Sequence, residues 1–554
     1  MAEPEPADRA PTRPRHGRQF VADGAHFDFV IVGSGFGGSV SALRLSQKGY
    51  SVLVIEKGRR LSGDDFPKTN WNLKRWLWMP SLGFRGLFQM TFFRHLTAFT
   101  GVGVGGGSLV YANTLPHPRD DFFAAPSWSH LADWKTELEP HYQEARRMLG
   151  AARNPRVTLG DETLRAIAVD IGREADFDSN EVAVFFGPPR QTVPDPFFGG
   201  DGPERTGCRF CGACMTGCRF GSKNSLDKNY LFLAEGLGAQ VQPDAEVTAV
   251  RPRDASSGEG GYRVEATLHR GWLRNARLTF NADQVVFAGG VLGTVNLLQA
   301  MKDDPRGLPR LSDRVGDFVR TNSEALIGVT TGRRGVDLAE GIAITSILHT
   351  DEHSHLEPVR YGRGSGFFRL LMSPHATGRG FFRRVGSAFK NFFRRPGRWF
   401  KALFVWDWAK HTQILLYMRT LEGTLRLGRG RSLLTGFRLR LRSSVASGGG
   451  PQASMPEATE LAERFADKLG GVTASLVNET LLDSPSTAHI LGGCAMGATA
   501  DEGVIDARQR VFGYDGLYVC DGSAMSANPG VNPSLTITAM TERAMSLIPP
   551  KRAQ

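Results

Sequence analysis

One of the thirteen histidines stands in a setting suited to presenting its side chain. His489 lies between Ser486-Thr487-Ala488 and the pair Gly492-Gly493, a stretch that reads as a tight turn. An imidazole titrates near neutrality and so suits the proton transfer that accompanies oxidation of a hydroxyl. Asn532, in Gly530-Val531-Asn532-Pro533, offers an amide that bonds an oxygen at any pH, and serves equally as a turn former before proline. Four of the six cysteines fall within eleven residues as Cys208-x2-Cys211-x2-Cys214-x3-Cys218. This is the spacing of a ferredoxin-type iron–sulfur loop, without the usual following proline because Arg219 stands there. Zinc, a local disulfide and a loop-shaping role are the other readings of the run. A cluster beside a redox cofactor would pass electrons outward and make a dehydrogenase instead of an oxidase.

Such chemistry needs a cofactor platform. Phe27-Asp28-Phe29-Val30-Ile31-Val32 is a short apolar run that reads as a buried parallel strand. Gly33-Ser34-Gly35-Phe36-Gly37-Gly38 follows; Val40, Ala42, Leu43 and Leu45 then keep helical spacing up to Gly49, and Ser51–Ile55 forms a second strand ending at Glu56. In such a unit Gly33 turns the chain, Gly35 admits a pyrophosphate, Gly38 lets helix and strand close, and Glu56 receives ribose hydroxyls. The ordered succession favours dinucleotide binding over a plain strand–helix turn, but does not separate FAD from NAD. Further on, Gly101–Ser108 holds five glycines in eight positions before the run Leu109-Val110-Tyr111-Ala112-Asn113. Main-chain amides of such a segment can lie flat against a ligand.

With these segments in place, a resemblance becomes specific. Gly103-Val104-Gly105-Gly106-Gly107-Ser108-Leu109-Val110 resembles the flavin-contacting segment of the glucose–methanol–choline (GMC) oxidoreductases, and Ala288-Gly289-Gly290-Val291-Leu292-Gly293-Thr294 resembles their second signature. Tyr518-Val519-Cys520-Asp521-Gly522-Ser523 precedes Gly530–Ile537, and His489-Ile490-Leu491-Gly492-Gly493-Cys494 is similar to the histidine motif of the cholesterol-oxidase branch. The motifs run in family order from residue 27 to 545. The resemblance implies FAD, with Gly33, Gly35, Gly38 and Glu56 at its ADP half and Val247 beside the adenine. It places Gly105, Gly106 and Ser108 near the isoalloxazine, Asp521 and Gly522 at ribityl and diphosphate, and Asn532 and Pro533 close to the ring. His489 and Asn532 would face the flavin as a pair. Glu357, in His355-Leu356-Glu357-Pro358-Val359, is matched to the glutamate that moves a proton in steroid isomerisation, with a surface carboxylate as the alternative.

The implied fold is α/β, α+β overall: a Rossmann-like FAD-binding domain with a substrate domain of antiparallel sheet and helices. The expected division is a flexible tail at 1–24, an FAD-binding domain at 25–325 and 470–554, and a substrate domain at 326–469, with 71–95 as a cover. The net charge of +11 is concentrated in 378–404, where eight Lys/Arg interleave with eight Phe/Trp and no acid occurs. From Phe381 to Phe393, apolar residues at 381, 385, 388, 389, 392 and 393 oppose Arg383, Arg384, Ser387, Lys390, Asn391 and Arg394, a helical period. It reads either as an interfacial helix making peripheral membrane contact or as a lid with a solvated polar face. No nucleic-acid motif accompanies it. No apolar run is long enough to span a bilayer, and the clustered cysteines point to a reducing compartment, so the expected location is cytoplasmic, at most peripheral to a membrane.

The activity expected is FAD-dependent oxidation of a secondary alcohol, the 3-hydroxyl of a sterol or a similar large apolar alcohol, with electrons passing to O2 or another acceptor. The rivals are an FAD/iron–sulfur dehydrogenase of sugars or polyols, and a peripheral membrane flavoprotein without alcohol chemistry.

Overall fold

The structure, a computed structural model, describes residues 21–253, 257–269, 275–378, 380–431, 437–445 and 449–552. Most of the expected tail, 1–20, lies outside the described residues.

His26–Val32 forms the expected first strand, all but buried from Val30 on, and the helix Phe36–Gln47 follows it. The strand pairs in parallel with Val52–Ile55 on one side and with the long strand Asn275–Phe287 on the other. Gln240–Gln242 extends the parallel edge beyond Val52–Ile55. Asn275–Phe287 is shared between two systems: its last residues pair in parallel with Leu517–Val519, and its first eight pair antiparallel with Tyr262–His269, which in turn pairs with Ala245–Pro252. The seven strands are a Rossmann-like platform with an antiparallel extension. Its continuous apolar strands are buried against Phe36–Gln47 on one side and Gly290–Asp303 on the other, in the largest core cluster of the protein.

A second seven-stranded sheet is wholly antiparallel, in the order Met372–Pro374, Gly471–Leu476, Ala325–Thr331, Thr412–Arg419, Ser354–Val359, Ser346–His349, Phe177–Ser179. One face packs on the helices Leu159–Asp170 and Pro456–Leu469. The other face looks toward the parallel sheet across a cavity. The sheet reaches beyond the 326–469 interval at both ends, because three-residue edge strands such as Phe177–Ser179 are set by pairing and carry no periodic signal of their own. The cover segment 71–95 folds as a short helix, Leu73–Trp76, and strands; buried Trp76 stacks on Phe88 at 4.7 Å, and Phe88 lines the cavity.

Candidate active site

Between the sheets lies a cavity of about 700 Å³. One end is glycine. Gly33 has φ +98°, and a side chain there would strike the Ala288 carbonyl oxygen at 2.3 Å. Gly106 packs its bare Cα against Gly35, where a Cβ would come within 2.6 Å, so the two glycine turns touch. At Gly35 itself a Cβ would meet nothing within 4 Å: the turn opens onto the cavity. The helix Phe36–Gln47 starts there with no side-chain cap, so its first amides face the space as an anion site. Val247 lines the same region. Bare glycine turns, uncapped helix amides and an elongated cavity fit a dinucleotide.

Not every expected contact reaches the cavity surface. Gly38 packs against the Gly33 carbonyl and serves the helix–strand approach. Gly105 and Ser108 stand behind the wall formed by Gly106 and Gly107, because the Ser108 hydroxyl donates to the Gly105 carbonyl at 2.7 Å and accepts from the Leu226 amide at 3.0 Å. They shape the loop instead of facing a ring. Glu56 lines the cavity, but its carboxylate already accepts from the Ser34 hydroxyl (2.7 Å), the Ser34 amide (3.2 Å) and the Gly58 amide (2.9 Å). A ribose hydroxyl would share acceptors that also tie the two glycine turns together. Asp521 accepts from the Gly290 amide (2.8 Å), the Thr294 hydroxyl (2.6 Å) and the Ser523 amide (2.8 Å), fixing the start of Gly290–Asp303 against the Gly522 turn. Gly522 and Pro533 line the cavity between them and the chemistry beyond.

At the far side, His489, Asn532 and Glu324 line the wall together. Glu324 was not foreseen. It is buried at the start of Ala325–Thr331 and accepts from the Thr487 hydroxyl (2.6 Å) and the Ala488 amide (3.3 Å), with His489 Nδ1 3.1 Å from its Oε1. Burial alone would protonate this carboxylate, but the neighbouring imidazole and these donors hold its pKa below the usual range. Burial likewise works against a charged His489, yet Glu324, with Glu357 adding to it, lifts the imidazole above its ordinary value. Nδ1 makes this ion-pair contact without a hydrogen bond of good geometry among the described residues. The only hint in the sequence was a carboxylate, in Thr321-Asn322-Ser323-Glu324, leading directly into an apolar run.

Glu357 is fully buried in the strand Ser354–Val359, so the surface reading does not hold. Its side chain does not line the cavity: it accepts from the Asn180 amide at 3.2 Å, with Asn532 close enough to help lower its pKa. Burial pushes its pKa up to about 7 against the pull of His489 and both amides. Asn532 Oδ1 remains buried without a partner among the described residues. Asn532 lines the cavity, and this oxygen is an acceptor with no protein donor among the described residues. The three residues singled out in sequence are thus brought together, with Glu324 as a fourth. The walls around them are apolar, including Phe99, Tyr361, Phe368, Met372 and Leu416.

The cysteine run lies elsewhere. All four thiols are free and line a separate cavity of about 450 Å³. Among the described residues no group of three or more His, Cys, Asp or Glu side chains is arranged to hold a metal. Cys208 packs into an apolar cluster with Val182, Val184 and Ile342, where burial pushes its thiol well up. Lys223 shows what the loop does. Its buried ammonium, lowered by burial to about 7, donates to the carbonyls of Leu109 (3.0 Å), Tyr111 (2.8 Å) and Cys214 (2.9 Å). That clamp fastens the cysteine loop to the segment following the glycine turn, and Met215 beside it lines the main cavity.

Fold and site together define a dinucleotide-dependent oxidoreductase with an apolar substrate chamber. Comparison with known proteins narrows this. Residues 31–99 match the NAD(P)-binding Rossmann-like domain and residues 440–541 the GMC oxidoreductase family. The chain is 45% identical to a cholesterol oxidase of Mycobacterium tuberculosis, over 95% of this chain and 91% of the relative. It is 40% identical to a cholesterol oxidase of Acinetobacter baumannii, over 95% of each. A solved pyridoxine 4-oxidase from Mesorbium loti shares the fold at TM-score 0.59 and 16% identity, covering 94% of this chain and 98% of that one. The chain belongs to the GMC oxidoreductase family, as an FAD-dependent enzyme acting on CH–OH donors.

Proposed function

We propose that the enzyme oxidises the secondary 3-hydroxyl of a sterol or a comparably large apolar alcohol, with O2 as the acceptor. The observation that carries this reading is the Glu324–His489 pair set in an otherwise apolar chamber beside the glycine platform. The cholesterol oxidases named above support the substrate class. Bound FAD, held along Gly33, Gly35, Gly106, Gly290 and Gly522, supplies the hydride acceptor.

The remaining work falls to the chain. Glu324 fixes His489 with Nδ1 toward the carboxylate, and Nε2 takes the hydroxyl proton as the carbinol hydrogen leaves. Its raised pKa makes the imidazole a stronger proton acceptor once it is neutral. Asn532, close to Glu357, presents Oδ1 to the substrate and helps hold its carbinol in place. Glu357 acts through Asn532 and, near its pKa of about 7, can hold or release a proton one group away from the reacting centre. The apolar walls exclude water and select ring systems over sugars, whose hydroxyls would be buried without partners there.

Anaerobic mixing of the FAD-loaded enzyme with 3-hydroxysterols, sugars and short alcohols tests the reading by flavin bleaching. Bleaching by sterols is expected. Bleaching by sugars alone would transfer the reading to a polyol dehydrogenase, and none at all would remove alcohol chemistry.

A further inference from the structure

The helix Phe381–Arg394 is packed with its polar side inward. Arg384 is buried and donates to the carbonyls of Thr480 (2.8 Å) and Gly378 (2.8 Å), with Asp483 3.0 Å away. Asn391 donates to the His375 carbonyl (3.0 Å) and the Thr473 hydroxyl (3.1 Å), and Ser387 accepts from the Thr377 amide (3.1 Å). The phenylalanines point the other way: Phe382 is 87% exposed, Phe393 67%, and Phe381 and Phe389 at least half. The next helix, Pro396–Leu403, continues the face with Phe400, Phe404 (72%) and a fully exposed Trp406. The sequence expectation of a solvated polar face opposite an apolar one is therefore reversed for Arg384, Ser387 and Asn391. A lid would have spent its rings on the protein.

An apolar face of this size calls for an apolar partner. Its chemistry is set by the surrounding charge. Arg394, Arg395 and Arg398 are paired with Glu463 and Asp467, but Arg383, Lys390 and Lys401 have no ion pair among the described residues and are exposed around the rings. Exposed phenyl rings fringed by uncompensated cations match an anionic lipid surface, with rings at acyl depth and ammonium and guanidinium groups at the phosphates. The position also fits. Met372 lines the substrate cavity and packs, on its other side, with Phe392 and Trp399 of these two helices. Exposed Leu370 lies between the cavity-lining Phe368 and Met372, and exposed Leu482 ends the helix that follows cavity-lining Leu476.

We infer that Phe381–Phe404 with Trp406 is a docking face for an anionic phospholipid bilayer, seating the mouth of the substrate chamber on the membrane. This rests on the apolar-alcohol reading of the cavity.

The FAD-loaded, full-length protein is sedimented with sterol-free vesicles, of phosphatidylcholine alone or mixed with phosphatidylglycerol. Binding to the mixed vesicles is expected. Phe382→Ser/Phe393→Ser should weaken it by about tenfold per ring removed, and Lys390→Glu by at least about fivefold, with a shallower salt dependence. Leu237→Ser, at an exposed apolar position away from the face, should bind as the wild type. Absence of binding overturns the proposal, as does binding unaffected by the phenylalanine changes. So does light scattering that shows a lipid-free dimer dissociated by those changes, which would make the face a contact between copies. Sterol turnover in detergent micelles is measured alongside and should be unchanged in the double variant. Micelle turnover without vesicle binding sinks the docking face alone; vesicle binding without sterol turnover sinks the substrate reading alone.

Discussion

Two loops of this protein advertise chemistry equally in the sequence, the turn bearing His489 and the run Cys208–Cys218, and the structure treats them oppositely. Around His489 unlike groups are brought together, one carboxylate against the imidazole and Asn532 near a second, and His489, Asn532 and Glu324 line a cavity. In the cysteine loop the four thiols line one cavity with no metal-holding group among the described residues, Cys208 and Cys214 pack with an apolar cluster, and a buried lysine bonds the backbone. Spacing along a chain limits which side chains can meet, but complementary partners from distant segments decide whether a reactive site forms.

The contrast can be broken by removing one member at a time. His489→Gln should cost about 10²–10⁴-fold in turnover with FAD content unchanged, checked by single-turnover flavin reduction; near-normal turnover would remove the site from that turn. Glu324→Gln should cost about 10²-fold and also move a pH limb. In the wild type, activity is lost as pH falls through the raised His489 pKa, because the imidazole must be neutral to accept a proton. Without the Glu324 charge, burial dominates and that limb should shift to lower pH; an unmoved limb means the pair is only structural. Glu357→Gln resembles the protonated acid, so it should match the wild type well below pH 7 and fall behind by about tenfold above it. Equal profiles throughout would exclude any role for its ionisation. The smallest effect belongs to the other loop: Cys211→Ser/Cys218→Ser should leave turnover within about threefold, as substitutions remote from the chemistry do, with no iron or sulfide in anaerobically purified wild type. Cluster iron would reverse the comparison.

Much of the platform was legible because its signals are local. A buried parallel strand is a continuous apolar run, and a turn that must admit a ligand must be glycine, so the strand–turn–helix–strand course of 27–56 was legible. That Gly106 and Gly107 line the cavity while Ser108 bonds Gly105 behind them could not be read from the motif, which marks a segment and not which atoms face inward. Glu324 escaped notice because its role exists only once Ala325–Thr331 and the His489 turn are side by side.

The amino-acid order by itself determined the cofactor-binding topology, the family and the placing of His489 beside a glycine turn, since backbone conformation and burial period are properties of neighbours along the chain. The tertiary structure alone decided that Glu324 meets His489 at 3.1 Å, that Glu357 is buried near Asn532, and that the four cysteines line a cavity of their own. It alone also turned the phenylalanine helix outward. Each of these depends on which distant groups share a desolvated space, where an unmatched charge or polar group is costly and a matched one is held in place.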